Sequence, residues 1–166
     1  MQAQQACINA ACQMIATVPG VVFELGLGNG RTYSHLCEKL PGRDVYVFDR
    51  AVSDHVTCTP PADRVFVGEL ADTLPVAVNR FRGQVALVHI DIGAANQEHN
   101  ARLAGFISTQ LSAVLTPDAV VMSDQQLDLP HLDALDLPEG VAGGRYFMYR
   151  DRGQRAASPS TAPSAA

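Results

Sequence analysis

The residues best suited to chemistry lie in one short stretch, Glu24-Leu25-Gly26-Leu27-Gly28-Asn29-Gly30-Arg31-Thr32. Three glycines at alternate positions permit a tight turn and let a ligand approach bare backbone. Amides at the start of a following helix can meet negative or electron-rich atoms. Asp49 stands 19 residues beyond Gly30, where a carboxylate can accept hydrogen bonds from ribose hydroxyls. The pattern points to a nucleotide-like cofactor. Further acids follow apolar runs at Glu69, Asp91 and Asp124, with His89 two positions before Asp91 and Gln125 directly after Asp124.

These residues need elements to position them, and the apolar pattern supplies a series. A helix is expected over 3–17, closed by Pro19-Gly20. A short buried strand over 21–25 leads into the glycines, and a helix over 31–40 leaves them. A second strand, 44–49, ends on Asp49; 51–64 reads as loop with at most a short helix. A brief strand at 64–67 and a helix at 71–80 precede the clearest strand, 84–91, apolar at nearly every position as a parallel strand covered on both faces should be. An amphipathic helix is expected over 97–115 and a strand over 119–123, separated by Thr116-Pro117-Asp118. Arg145 to Arg150 reads as a last strand at one sheet edge, and 126–144 offers it no convincing partner. Alternating strands and helices imply a parallel sheet with helices on both faces, where ligands sit at the carboxyl ends of the strands.

The G-x-G-x-G form, with Glu24 one position before the strand's last apolar residue, resembles the first motif of the class I S-adenosylmethionine-dependent methyltransferases. Dinucleotide dehydrogenases use G-x-G-x-x-G, and Arg31 stands where their third glycine would be; an NAD-binding oxidoreductase is therefore an alternative. The resemblance covers about residues 21–123 in element order as well as motif. It implies an α/β, three-layer Rossmann-like sheet of six or seven strands, mostly parallel, with an antiparallel last strand. It places Gly26, Gly28, Asn29 and Gly30 along the methionine part of the cofactor, Asp49 at the ribose, and Arg50 beside the adenine. Glu69 and Leu70 fall where the family contacts the adenine edge, although Glu69 equally suits a helix start. Glu24 would anchor the loop or meet the cofactor's ammonium, and both readings stay open. Thr32 is either on the ligand side of the first helix or a plain helix-start residue.

Methyl transfer needs in-line placement above all, and a hydroxyl acceptor also needs a base or a metal. Asp91 is the candidate acid at the reacting centre and is also expected among the cofactor-binding residues. His89 shares a strand face with it by alternation, which makes it either a base or a satisfied core histidine. Asp91, Asp124 and Gln125 also resemble the Mg²⁺ ligands of the catechol and caffeoyl-CoA type O-methyltransferases. That match is incomplete: Gln125 replaces an Asn, and no second Asp follows closely after Asp91. The D/N-P-P-Y/F signature of amino-group methyltransferases is absent, the position reading Asp91-Ile92-Gly93-Ala94. The expected activity is methyl transfer to a small molecule, with oxygen a candidate atom. A cofactor-binding module without its own catalysis is a further alternative.

The chain's 166 residues suit one domain, read as a helix over 1–20 packing on a core over 21–152, with a disordered tail over 153–166. An apolar share of 47% with 17% charged residues fits a globular core. No run approaches a membrane span, no secretory leader is evident, and Cys7, Cys12, Cys37 and Cys58 lack C-x-x-C spacing. They read as free thiols in a reducing, cytoplasmic setting. A formal charge of −5 argues against a broad nucleic-acid footprint. A homodimer is left open.

Overall fold

Strand β4, Val85–Ile90, is buried at every position because strands flank it on both sides and helices cover both faces. In the computed structural model, which describes residues 2–52 and 56–151, β4 pairs in parallel with β1 (Val21–Leu25) and β5 (Leu115–Ser123). Outward from β1 lie β2 (Val45–Asp49) and β3 (Val65–Val67), also parallel. The seven strands run β3-β2-β1-β4-β5-β7-β6, the last two being β6 (Leu132–Leu135) and β7 (Phe147–Asp151). The order reverses between β1 and β4, so the crevice for a ligand opens at their carboxyl ends.

Helices α1 (Gln2–Met14) and α2 (Arg31–Lys39) cover one face, packing Cys7, Ile8, Ala11 and Leu36 on Val22, Val47 and Leu87. Helices α3 (Leu70–Arg80) and α4 (Gln97–Leu111) cover the other, packing Leu74, Ala77, Ile107 and Leu111 on Phe23, Phe48 and Val88. This is the expected three-layer arrangement. Asn96 caps α4 by accepting from the His99 amide at 3.0 Å. Asn100 then bonds both the N–H and C=O of Ala94, fixing the turn between β4 and α4.

Four expectations need correction. Helix α4 stops at Leu111, and Leu115 already belongs to β5. The break at Thr116-Pro117-Asp118 is a bulge within β5: between Val85↔Leu115 and Leu87↔Val120, one residue of β4 faces four of β5, and Asp118 takes a φ of 66°. The strand ending in Arg150 is interior. It runs antiparallel between β5 and β6, and Leu132–Leu135 is the partner that the sequence did not disclose. Helix α1 also ends earlier than expected, at Met14. Beyond it the Arg43 guanidinium donates to the carbonyls of Ile15, Val18 and Gly20, closing the turn onto β1. The tail expected over 153–166 lies outside the described residues.

Candidate active site

The glycine loop leaves β1 and folds towards α2, and its three glycines have different reasons to be glycine. A Cβ on Gly26 would lie 2.2 Å from the Asp91 carbonyl oxygen, so residue 26 allows the ends of β1 and β4 to close together. A Cβ on Gly30 would lie 2.5 Å from Val56 Cγ1, because residues 56–58 strap the loop, with the Thr57 amide donating to the Asn29 carbonyl. Gly28 is exposed, has a φ of +52°, and a Cβ there would meet nothing within 4 Å. Only at residue 28 does the missing side chain open onto space a ligand could use.

Asp49 faces this loop. Its Oδ2 accepts from the amides of Leu27 at 2.8 Å and Gly28 at 3.2 Å, and its Oδ1 accepts from Ala51 at 3.3 Å. A carboxylate offers about four lone-pair sites, so Asp49 can brace the loop and still accept from ribose hydroxyls. Beside it, the Gly68 amide donates to the Asp49 carbonyl, which brings the start of α3 to the same strand end. Exposed Arg50 and Glu69 and half-buried Leu70 flank that edge. Glu69 is the N-cap residue of α3, and its carbonyl accepts from Asp72 and Thr73. The open glycine, the carboxylate behind it and this edge fit an adenosyl ligand. Asn29 accepts from the Arg31 amide and shapes the loop's exit. Thr32 lines a cavity of about 200 Å³ between α1 and α2, with Gln4, Gln5, Arg31, His35 and Thr57.

Glu24 and His89 are register partners on β1 and β4. Nδ1 of His89 donates to Oε2 of Glu24 at 2.7 Å, and the two residues are 1% and 0% exposed. Burial pushes the Glu24 carboxyl up, an effect that His89 offsets in part. Burial alone would pull the His89 imidazole down, but the charge and hydrogen bond of Glu24, with the charges of Asp91 and Asp124, leave His89 above its ordinary value. Of the two readings open for His89, base or core histidine, the buried bond to Glu24 fits the core histidine. With its ring sealed in the core, His89 does not offer the open nitrogen that a base at the acceptor needs.

Asp91 is exposed, and its Oδ2 accepts from Gln4 Nε2 on α1 at 2.8 Å. Asp124 turns elsewhere. Its Oδ1 accepts from Ile92 at 3.4 Å and its Oδ2 from Gly93 at 2.7 Å, and Gln125 Nε2 also donates to Oδ2 at 3.2 Å. Gln125 thus presents a donor to this carboxylate, not a ligand oxygen. This donor set does not fit Mg²⁺, and among the described residues no group of three or more His, Cys, Asp or Glu could hold a metal ion.

Two participants escaped the sequence reading. Gln4 had no motif to mark it. Tyr146 precedes β7 and packs with the α1 face of the core. Burial first, then the charge of Asp91, pushes its hydroxyl above the ordinary value, with Asp124 adding to the effect and Arg145 opposing it. Tyr146 also lines a hollow of about 530 Å³ with Leu135, Leu137, Val141 and Met148.

A family model described as S-adenosyl-L-methionine methyltransferase matches residues 1–151. An S-adenosyl-L-methionine methyltransferase structure from Silicibacter pomeroyi DSS-3 is 41% identical, with a TM-score of 0.85 over 90% of this chain and 91% of its own. The 1,6-didemethyltoxoflavin-N1-methyltransferase of Burkholderia thailandensis, solved with 1,6-didemethyltoxoflavin and S-adenosylhomocysteine, shares the fold at 17% identity and a TM-score of 0.54, over 91% and 79% of the two chains. Human methyltransferase-like protein 13, solved with S-adenosylhomocysteine, does so at 12% identity and a TM-score of 0.60, over 95% and 82%. No curated protein matches the chain in sequence. The chain belongs to the S-adenosyl-L-methionine methyltransferase family and is an S-adenosylmethionine-dependent enzyme of Rossmann-like fold. The oxidoreductase alternative and that of a module without catalysis fall with this finding. No helix among the described residues is long and apolar enough to cross a membrane.

Proposed function

We propose that this methyltransferase acts on a small-molecule acceptor seated between Asp91 and the hollow beside Tyr146. The observation that carries the reading is the hollow itself. About 530 Å³, lined by Leu135, Leu137, Val141 and Met148 with Tyr146 as a polar member, is the size and character of a small-molecule site. Tyr146 links it to Asp91, whose charge acts on the phenol. The cofactor lies along Gly28 and Asn29, with its ribose at Asp49 and its adenine between Arg50 and the Glu69–Leu70 turn. S-adenosylmethionine supplies the electrophilic methyl group on its sulfonium.

Asp91 orients the acceptor. Gln4 holds Oδ2, which leaves Oδ1 to accept from an incoming O–H or N–H, and an oxygen acceptor is the version of this reading we favour. Orientation of this kind supplies much of what methyl transfer requires. The test is an acceptor screen across phenols, carboxylic acids and amines, reading S-adenosylhomocysteine formed. Turnover with one of these classes is expected. Turnover seen only when a protein or a nucleic acid is added would overturn the reading.

A further inference from the structure

The buried pair of Glu24 and His89 leaves two atoms without partners, Glu24 Oε1 and His89 Nε2. Such orphans are uncommon in folded proteins and costly, and each calls for an explanation. Nothing in the packing requires the pair. Its neighbours in β4 are Val85, Ala86, Leu87, Val88 and Ile90, and an apolar pair of similar volume in place of a buried ionic one is often neutral or stabilising.

Its placement is specific. Val22 and Leu87, two residues before Glu24 and His89, pack on the α1 and α2 face, and strand alternation sends Glu24 and His89 to that same face. The charge of Glu24 is felt by Cys37 on α2. The glycine loop folds towards this face from two residues beyond Glu24. The ends of β1 and β4 are joined just above the pair, where the Asp91 amide donates to the Leu25 carbonyl at 2.9 Å.

We propose that His89 is a positioning residue for the amino-acid end of the cofactor, acting through Glu24. It holds Oε2 and so fixes Oε1 as the one acceptor left for the ammonium that the cofactor brings to this loop, reached through one ordered water. The inference rests on cofactor binding at Gly28, which the Gly28 variants described below test separately.

The experiment compares two ligands by calorimetry: S-adenosylhomocysteine, which carries the amino-acid end, and 5′-methylthioadenosine, which lacks it. In His89→Leu we expect the dissociation constant of S-adenosylhomocysteine to rise roughly ten- to a hundredfold, the scale of one hydrogen bond involving a charged group. That of methylthioadenosine should stay within about twofold. His89→Gln, which can still donate to Oε2, should recover part of the loss. Unchanged affinity for S-adenosylhomocysteine overturns the proposal. So does an equal loss for both ligands, which would mean that His89 supports the loop as a whole. If His89→Leu fails to fold, the near-isosteric Glu24→Gln is read by the same two-ligand ratio: a loss confined to S-adenosylhomocysteine supports the proposal, and an unchanged ratio overturns it.

Discussion

The carboxylate of Asp49, at the end of β2, accepts the backbone amide of Leu27 in the loop after β1, 2.8 Å from Oδ2. The same oxygen takes the Gly28 amide at 3.2 Å. One side chain therefore both shapes the loop and faces the place where a ribose would lie. Asp49→Ala removes both functions, and S-adenosylmethionine binding should weaken by at least the ~1.5–3 kcal/mol of one charge-assisted hydrogen bond. Asp49→Asn keeps an acceptor oxygen and should fall between the two. Calorimetric titration checks this, and wild-type affinity in Asp49→Ala would place the ribose elsewhere.

The three glycines separate folding from binding. Gly28→Ala and Gly28→Val place side chains in open space at a left-handed φ, costing about 1–2 kcal/mol. Both should fold, with Val abolishing cofactor binding and Ala weakening it. Gly26→Ala drives its Cβ into the Asp91 carbonyl oxygen and should lower the melting temperature far more. Melting curves beside binding isotherms distinguish the two behaviours. Equal loss of stability at 26 and 28 would show that residue 28 is as confined as residue 26.

Most of this arrangement could be read from sequence because it depends on local signals. The Glu24 to Thr32 motif, the apolar β4 and the Asp49 strand end each announce themselves within a few residues. What escaped depends on distant contacts. Gln4 reaches Asp91 across 87 positions, so no spacing could reveal it. Strand β6, Leu-Asp-Ala-Leu, is four residues long at the sheet edge and has no fully buried residue, so its apolar signal is weak. Thr116-Pro117-Asp118 carries strong breaker chemistry, yet the chain accommodates it as a bulge while the pairing continues. Alternation puts His89 on one strand face with Asp91, but its partner sits on the neighbouring strand, where alternation along one strand cannot find it.

Asp124 supplies a prediction about metal. Its oxygens brace the amides of Ile92 and Gly93, the turn that follows Asp91. Asp124→Ala should loosen that turn and reduce turnover by raising the KM for the acceptor, with a smaller change in cofactor affinity. EDTA or added Mg²⁺ should leave wild-type turnover unchanged. Activity that disappears with EDTA and returns with Mg²⁺ would mean that Asp124 abandons those amides for a cation.

The Glu24–His89 pair makes stability depend on pH in a defined direction. Both groups hold a proton more tightly in the folded chain than their ordinary values allow: Glu24 because burial disfavours its charge, His89 because Glu24, with Asp91 and Asp124, outweighs the opposing effect of burial. A raised value in the folded state contributes stability that is complete below the unfolded value and lost as pH rises through the folded one. The ordinary values are 4.5 for Glu24 and 6.5 for His89, so the loss begins above them. A Glu24→Leu/His89→Leu double variant lacks both protons and the orphaned atoms. It should be at least as stable as wild type at about pH 8, and its advantage should shrink towards about pH 5 as the native pair takes up protons. Melting temperatures across that range decide the matter. A wild-type protein that gains stability relative to the double variant as pH rises would show that the pair is held with fewer protons folded than unfolded, the reverse of what burial and the 2.7 Å bond imply.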